Sequence, residues 1–182
     1  MSKPVYPMPE DELQRIAALK RYAILDSPPE EVFDRITRLV AAFLDVPIAL
    51  ISLVDETRQW FKSSVGLDAT ETDREVAFCA HTIVADKMMI VPDANLDNRF
   101  SQSPLVEGEP NIAFYAGAPI KTSDGFNLGT LCAIDTKPRN LNEQQKTVLQ
   151  DLANMVMDAL ELRLINARVA GKFELQNEEF KT

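Results

Sequence analysis

Ile112-Ala113-Phe114-Tyr115-Ala116-Gly117-Ala118-Pro119-Ile120-Lys121, the turn Thr122-Ser123-Asp124-Gly125, and Leu128-Gly129-Thr130-Leu131-Cys132-Ala133-Ile134-Asp135 form two apolar segments around a polar reversal. Gly125 supplies the permissive backbone that a tight turn needs, so the stretch predicts an antiparallel hairpin. Side chains alternate along a strand, which sends Phe114 and Tyr115 to opposite faces. One of them packs into a core and the other can floor a pocket.

Working outward, Pro47 to Asp55 and Gln59 to Val65 flank a short polar Glu-Thr-Arg link and predict a second hairpin. Trp60 and Phe61 then lie on opposite faces. Met88 to Val91 reads as a short strand ending at Pro92, which brings the strands to five. Between it and the first hairpin, Asp93 to Pro110 is polar and irregular, with a helical turn around Ser103 to Val106. Long loops of this kind tend to carry function.

Helical spacing sets the other elements. Leu13, Ile16, Ala17 and Leu19 predict a helix over Asp11 to Tyr22. Ser27, Pro28, Pro29 and Glu30 read as a cap, a proline-bearing first turn and a capping-box Glu. They open a second helix whose stripe of Val32, Phe33, Ile36, Leu39, Val40, Phe43 and Leu44 requires burial against a sheet. Asp73 to Ala85 has helical character with Asp73 as cap. Asn142 and Gln145 form another capping box ahead of a long final helix. In that helix Val148, Leu152, Met155, Ala159, Leu162, Asn166, Val169 and Phe173 alternate spacings of four and three. This is the a/d seam of a coiled coil, and it predicts a homodimer through the terminal helices.

With 182 residues and 46% hydrophobic content, the chain can build one domain with a substantial core. A formal net charge of -9 opposes binding to nucleic acid or to an anionic membrane. The longest apolar run, Val46 to Val54, is broken by Pro47 and Ser52 and falls short of the roughly 20 residues of a membrane span. Two distant cysteines and an opening without the apolar core of a signal peptide suit a reducing cytoplasm.

His81 is the sole histidine, so any triad or metal centre must pass through it. Cys79 and His81, two apart on a helix, diverge by roughly 200 degrees and do not converge on one atom. No zinc spacing is present, and no metal site is expected. Cys79 and Cys132 read as small core residues, with a redox role as the alternative. His81 is either a satisfied structural side chain or a donor into a cavity. Arg99 is either an anchor for an anion or the partner of Asp97 or Asp93. No phosphate loop, dinucleotide fingerprint, nucleophile elbow or kinase motif occurs, and the acidic pair Glu30-Glu31 reads as solvated, so no catalytic residue is expected.

Four motifs stand in order: Phe78-Cys79-Ala80-His81-Thr82-Ile83, Asp97-x-Arg99-Phe100, Phe114-Tyr115-Ala116-Gly117-Ala118-Pro119-Ile120, and Leu128-Gly129-Thr130-Leu131-Cys132-Ala133-Ile134-Asp135. With the leading Leu25-Asp26-Ser27-Pro28-Pro29, they make the chain resemble a bacterial GAF domain from about Arg21 to Arg163. The resemblance implies an α+β fold: a central antiparallel sheet of about six strands, the first and last helices on one face, a ligand pocket on the other. It divides the chain into an N-terminal helical extension (1–20), the GAF domain (21–165) and a C-terminal helical extension or linker (166–182). It further implies a cytoplasmic sensor of bacterial signal transduction, non-catalytic itself, relaying pocket state through a helical dimer to a kinase, a cyclase or a separate partner. The ligand-binding candidates are Phe78, Cys79, His81, Thr82, Arg99, Phe100 and Tyr115. The dimer-helix candidates are Val148, Leu152, Met155, Ala159, Leu162 and Val169. The small ligand stays unknown, since family members bind cyclic nucleotides, tetrapyrroles, haem, small acids or nothing known; a bilin is disfavoured by the lack of an adjacent Cys-His pair. A thiol-dependent reductase and a ligand-free dimerisation domain are the alternatives.

Overall fold

Gly125, at φ +97°, lets the chain reverse after Thr122, whose backbone N–H donates to the Phe126 carbonyl at 2.9 Å. The two apolar segments on either side therefore pair from Phe114 against Asp135 to Lys121 against Asn127. The computed structural model describes the backbone of residues 6–179 and the side chains of residues 6–170. Its strands are β1 (Ile48–Val54), β2 (Arg58–Val65), β3 (Glu71–Asp73), β4 (Met89–Val91), β5 (Phe114–Lys121) and β6 (Asn127–Asp135). Its helices are α1 (Glu12–Arg21), α2 (Glu31–Leu44), α3 (Phe78–Ala85), α4 (Pro104–Glu107) and α5 (Glu143–Glu179).

The strands form one antiparallel sheet in the order β3-β2-β1-β6-β5-β4. At its centre β1 lies against β6 so closely that a Cβ on Gly129 would stand 1.9 Å from the Ser52 carbonyl oxygen. Only glycine fits there. The alternation of side chains gives the sheet two apolar faces. Ile51, Leu53, Phe114, Ala116, Leu131 and Ala133 share one core with residues of α1, α2 and α5. Leu50, Val54, Phe61, Tyr115, Cys132 and Ile134 share the other with α3, α4 and the irregular segment before β5. Trp60 and Phe61 separate between the two cores as expected, both buried.

Four local readings change. The sheet gains a sixth strand, β3, from three residues with no apolar signal. The helix expected over Asp73 to Ala85 is instead the end of β3, a 3-10 turn over Arg74–Val76, and α3. Ser27 does not cap α2: the helix starts at Glu31, and Pro28 and Pro29 lie in the extended lead-in. The Ser27 hydroxyl donates to the Ile24 carbonyl at 2.6 Å and accepts from the buried Lys62 Nζ at 2.8 Å. Finally, the broad stripe of α2 is split. Phe33, Ile36, Val40 and Leu44 are buried, while Val32, Leu39 and Phe43 remain exposed.

The capping box of α5 is formed as read, Gln145 N–H donating to Asn142 Oδ1 at 2.9 Å and Asn142 N–H to Gln145 Oε1 at 3.0 Å. The face of α5 that packs on the sheet is Leu149, Ala153, Val156, Met157 and Leu160. Burying such side chains contributes about 1.5–3 kcal/mol each for the larger ones. The a/d seam is a second stripe alongside it. Val148, Leu152 and Ala159 are half-buried, and Met155, Leu162, Asn166 and Val169 are exposed. Phe173 lies outside the described side chains. Among the described residues, no helix is long and apolar enough to cross a membrane.

Candidate functional site

The sheet face opposite α2 and α5 holds an interior cavity. β1 contributes Ile48 and Leu50, β2 contributes Gln59 and Phe61, β6 contributes Ile134, and Ile112 closes it from the segment before β5. Strand period 2 explains the selection, because Ile48 and Leu50, like Gln59 and Phe61, are two apart and share a face. The cavity measures about 270 Å³. Its mouth lies between Leu67 and Ala69 on one side and Leu105, Glu109 and Pro110 on the other, all at least partly exposed. A smaller void of about 20 Å³ shares Leu50, Gln59 and Ile134 with it and reaches Cys79, Cys132 and Tyr115.

The residues singled out from the sequence divide into two groups. Phe78, Cys79, Thr82 and Tyr115 form the buried layer under the small void. The Tyr115 hydroxyl lies 3.0 Å from Thr82 Oγ1 and donates to Cys79 Sγ at 3.3 Å; Thr130 Oγ1 donates to the same sulfur at 2.8 Å. Gly117 makes this arrangement possible, since a Cβ there would stand 2.1 Å from the Tyr115 hydroxyl. Burial raises the Cys79 thiol, and its neighbours, with Thr130 and Tyr115 donating to the sulfur, outweigh burial and lower it. Cys132, whose Sγ donates to the Leu50 carbonyl at 3.7 Å, is pushed up by the neighbouring Cys79 and by burial. Burial and then the neighbouring thiol charges push Tyr115 up. Both sulfurs are buried, so no thiol faces solvent.

His81 and Arg99 stand on the far side of α3. They border a separate surface cleft of about 420 Å³ with Tyr6, Gln102 and Ser103. Arg99 is engaged by Asp97, with Nε to Oδ1 at 2.9 Å and a second guanidinium nitrogen to Oδ2 at 2.6 Å. This pairing holds the Asp97 carboxyl below its usual range. The imidazole of His81 meets the Phe100 ring edge-on at 4.8 Å. Burial, and then the Arg99 charge, lower its pKa, with Asp97 partly opposing. Phe100 belongs to the wall between the groups, buried and stacked on Phe78 at 4.0 Å. Among the described residues, no group of three or more His, Cys, Asp or Glu side chains is placed to hold a metal ion.

Sequence reasoning missed the cavity's own lining. Gln59 carried the one available signal, a polar side chain on the inward face of a buried strand, but a lone Gln in a strand has no motif. It is 5% exposed; its Nε2 lies 3.4 Å from Thr72 Oγ1, and its Oε1 has no partner.

A six-stranded antiparallel sheet with α1, α2 and α5 on one face and, on the other, α3 and a cavity under α4 and irregular loops defines a class of α+β domain. The chain belongs to the GAF domain family, whose family model matches residues 28–160. Over 152 residues, 83% of this chain, it is 45% identical to a cyclic di-GMP phosphodiesterase of Pseudomonas aeruginosa. It spans 26% of that relative's length. Among solved structures it is similar to the GAF domain of an Acinetobacter phosphoenolpyruvate-protein phosphotransferase, with TM-score 0.61, 19% identity, and 89% and 97% of the two chains covered. It is also similar to the free methionine-R-sulfoxide reductase of Neisseria meningitidis, with TM-score 0.59, 16% identity, and coverage of 93% and 99%. At such identities these two likenesses concern the fold.

Proposed function

We propose that this GAF domain is the sensing part of a cytoplasmic signalling protein that controls cyclic di-GMP turnover, acting as a homodimer through α5. The module itself performs no chemistry. It alters an output activity carried elsewhere. The similarity to the Pseudomonas aeruginosa phosphodiesterase supports the output, and the aligned quarter of that protein leaves ample length for a catalytic part.

The observation that carries the reading is the second apolar stripe of α5. Met155, Leu162, Ile165 and Val169 are each about half exposed although the helix already has a buried face of its own. Val32, Leu39 and Phe43 of α2, which packs against α5, are exposed as well. Contiguous apolar surface of this kind marks an interaction site, and a/d spacing selects a helix as the partner.

Sedimentation equilibrium tests the dimer. The wild-type protein is expected as a dimer at micromolar concentration, and Leu162→Glu with Val169→Glu as a monomer with unchanged circular dichroism. A wild-type monomer at every concentration would falsify the relay.

A further inference from the structure

The geometry points to Glu30 as the coupling residue of the module: one of its carboxylate oxygens joins Lys62 of β2 to Arg163 of α5, and through this clasp a displacement of β2 reaches the dimer seam. The inference rests on the proposed dimer through α5 and names the side chains by which the sheet acts on it.

The clasp begins at an irregularity of the sheet. Ser52 pairs with Phe61 and Ile51 with Ser63, so Lys62 is an extra residue on β2, a bulge. Bulges bend a strand and re-aim a side chain. Phe61 borders the cavity on one face, and Lys62 turns to the other, where its Nζ stands 5.2 Å from the centre of the Phe33 ring. The ammonium is almost wholly buried. It donates to Ser27 Oγ at 2.8 Å, the Pro28 carbonyl at 2.6 Å and Glu30 Oε1 at 2.8 Å. Its three protons are thereby all spent on the linker between α1 and α2.

From the other side, α5 holds the same linker. Arg163 donates through Nε to Glu30 Oε1 at 3.1 Å, and through Nη1 to the carbonyls of Tyr22 at 2.9 Å and Ala23 at 3.1 Å. The Tyr22 hydroxyl donates to Glu161 Oε1 at 2.6 Å. Glu161 and Arg163 flank Leu162, an exposed member of the seam. Burial raises the Glu30 carboxyl, and Lys62 and Arg163 outweigh burial and lower it, so it stays ionised between its two cations. The gripped linker is also strained, since Ala23, at φ +45°, lies in the left-handed region without being glycine. Such conformations persist only where the surroundings over-determine them, and they gather at switch segments. A strained segment held from both sides shifts when either hold moves.

Lys62→Met is the informative change. It puts an apolar side chain of similar length in place of a buried ammonium, leaves Glu30 paired with Arg163, and removes no hydrogen bond that α5 itself makes. By sedimentation equilibrium the dimer dissociation constant should change about fivefold or more. On an Arg163→Met background the same substitution should have no effect, because the double-mutant cycle isolates a coupling that needs both residues. A side chain that merely stabilises the fold would lower the denaturation midpoint and leave the constant alone. Circular dichroism checks folding; Glu30→Gln, isosteric and uncharged, carries the same expectation should Lys62→Met not fold. A constant unmoved by Lys62→Met, or moved equally with and without Arg163, overturns the assignment. A wild-type monomer overturns the dimer alone, and the clasp is then read by hydrogen exchange. Lys62→Met should speed exchange around Leu162 and leave it unchanged around Leu149; no change at Leu162, or faster exchange at both, overturns the clasp as well.

Discussion

His81 stands where burial and two opposite charges set its protonation. It sits half-buried on α3, edge-on to Phe100, with the Arg99 guanidinium and the Asp97 carboxylate facing it across the cleft. Burial first, and Arg99 second, favour the neutral imidazole, so its folded pKa lies below the unfolded value, which is near 6.5. The unfolded chain therefore binds more protons as pH falls below about 6.5, and stability is lost from there down to the folded pKa, where the loss levels off. His81→Gln should flatten that part of the profile, as read by urea denaturation between pH 7 and 5. An identical slope in both proteins would show that other groups set it. The sequence marked His81 and Arg99 but could not decide how they are spent, because the Asp97 pairing depends on a loop conformation with no periodic signal. Gln59 was invisible for a related reason: its meaning comes from an unpaired oxygen in three dimensions.

Elements with strong local chemistry were legible. The Asn142 and Gln145 box closes both ways at the start of α5, and it could be read because its donors and acceptors lie three residues apart in the chain. Asn142→Ala should cost about 1 kcal/mol, measured as a shift of the denaturation midpoint with unchanged slope; no shift would mean that packing alone fixes the first turn. Where a distant residue intervenes, the local reading fails. Ser27 has the composition of a cap, yet Lys62 of β2 draws its hydroxyl away and is held further by the Pro28 carbonyl and Glu30. Strand β3 exists only because β2 offers an edge, pairing Arg58, Gln59 and Trp60 with Asp73, Thr72 and Glu71. The stripe on α2 was wider than the sheet could cover. Phe33 and Val40 lie against the sheet, while Leu39 and Phe43 remain exposed.

At the scale of the molecule, cavity and helices are separated by one thickness of sheet. Leu50 and Ile134 border the cavity, while the adjacent Ile51 and Ala133 face the core shared with α2 and α5. Close-packed interiors transmit displacement, because their side chains have little free volume in which to absorb it. Filling the cavity is therefore expected to be felt by the helices of the proposed dimer. If the two events are coupled, linkage makes the coupling reciprocal: a ligand that changes the dimer dissociation constant by some factor must bind dimer and monomer with affinities that differ correspondingly. We expect a ligand that saturates the cavity to change the dimerisation constant by about fivefold or more. The Leu162→Glu, Val169→Glu monomer should then bind that ligand with an affinity displaced in the direction that this change requires. Sedimentation with and without ligand, together with calorimetry on both proteins, closes the cycle. A dimerisation constant indifferent to ligand, with equal affinity in monomer and dimer, would leave a binding domain and a dimerisation domain sharing one sheet without signalling through it.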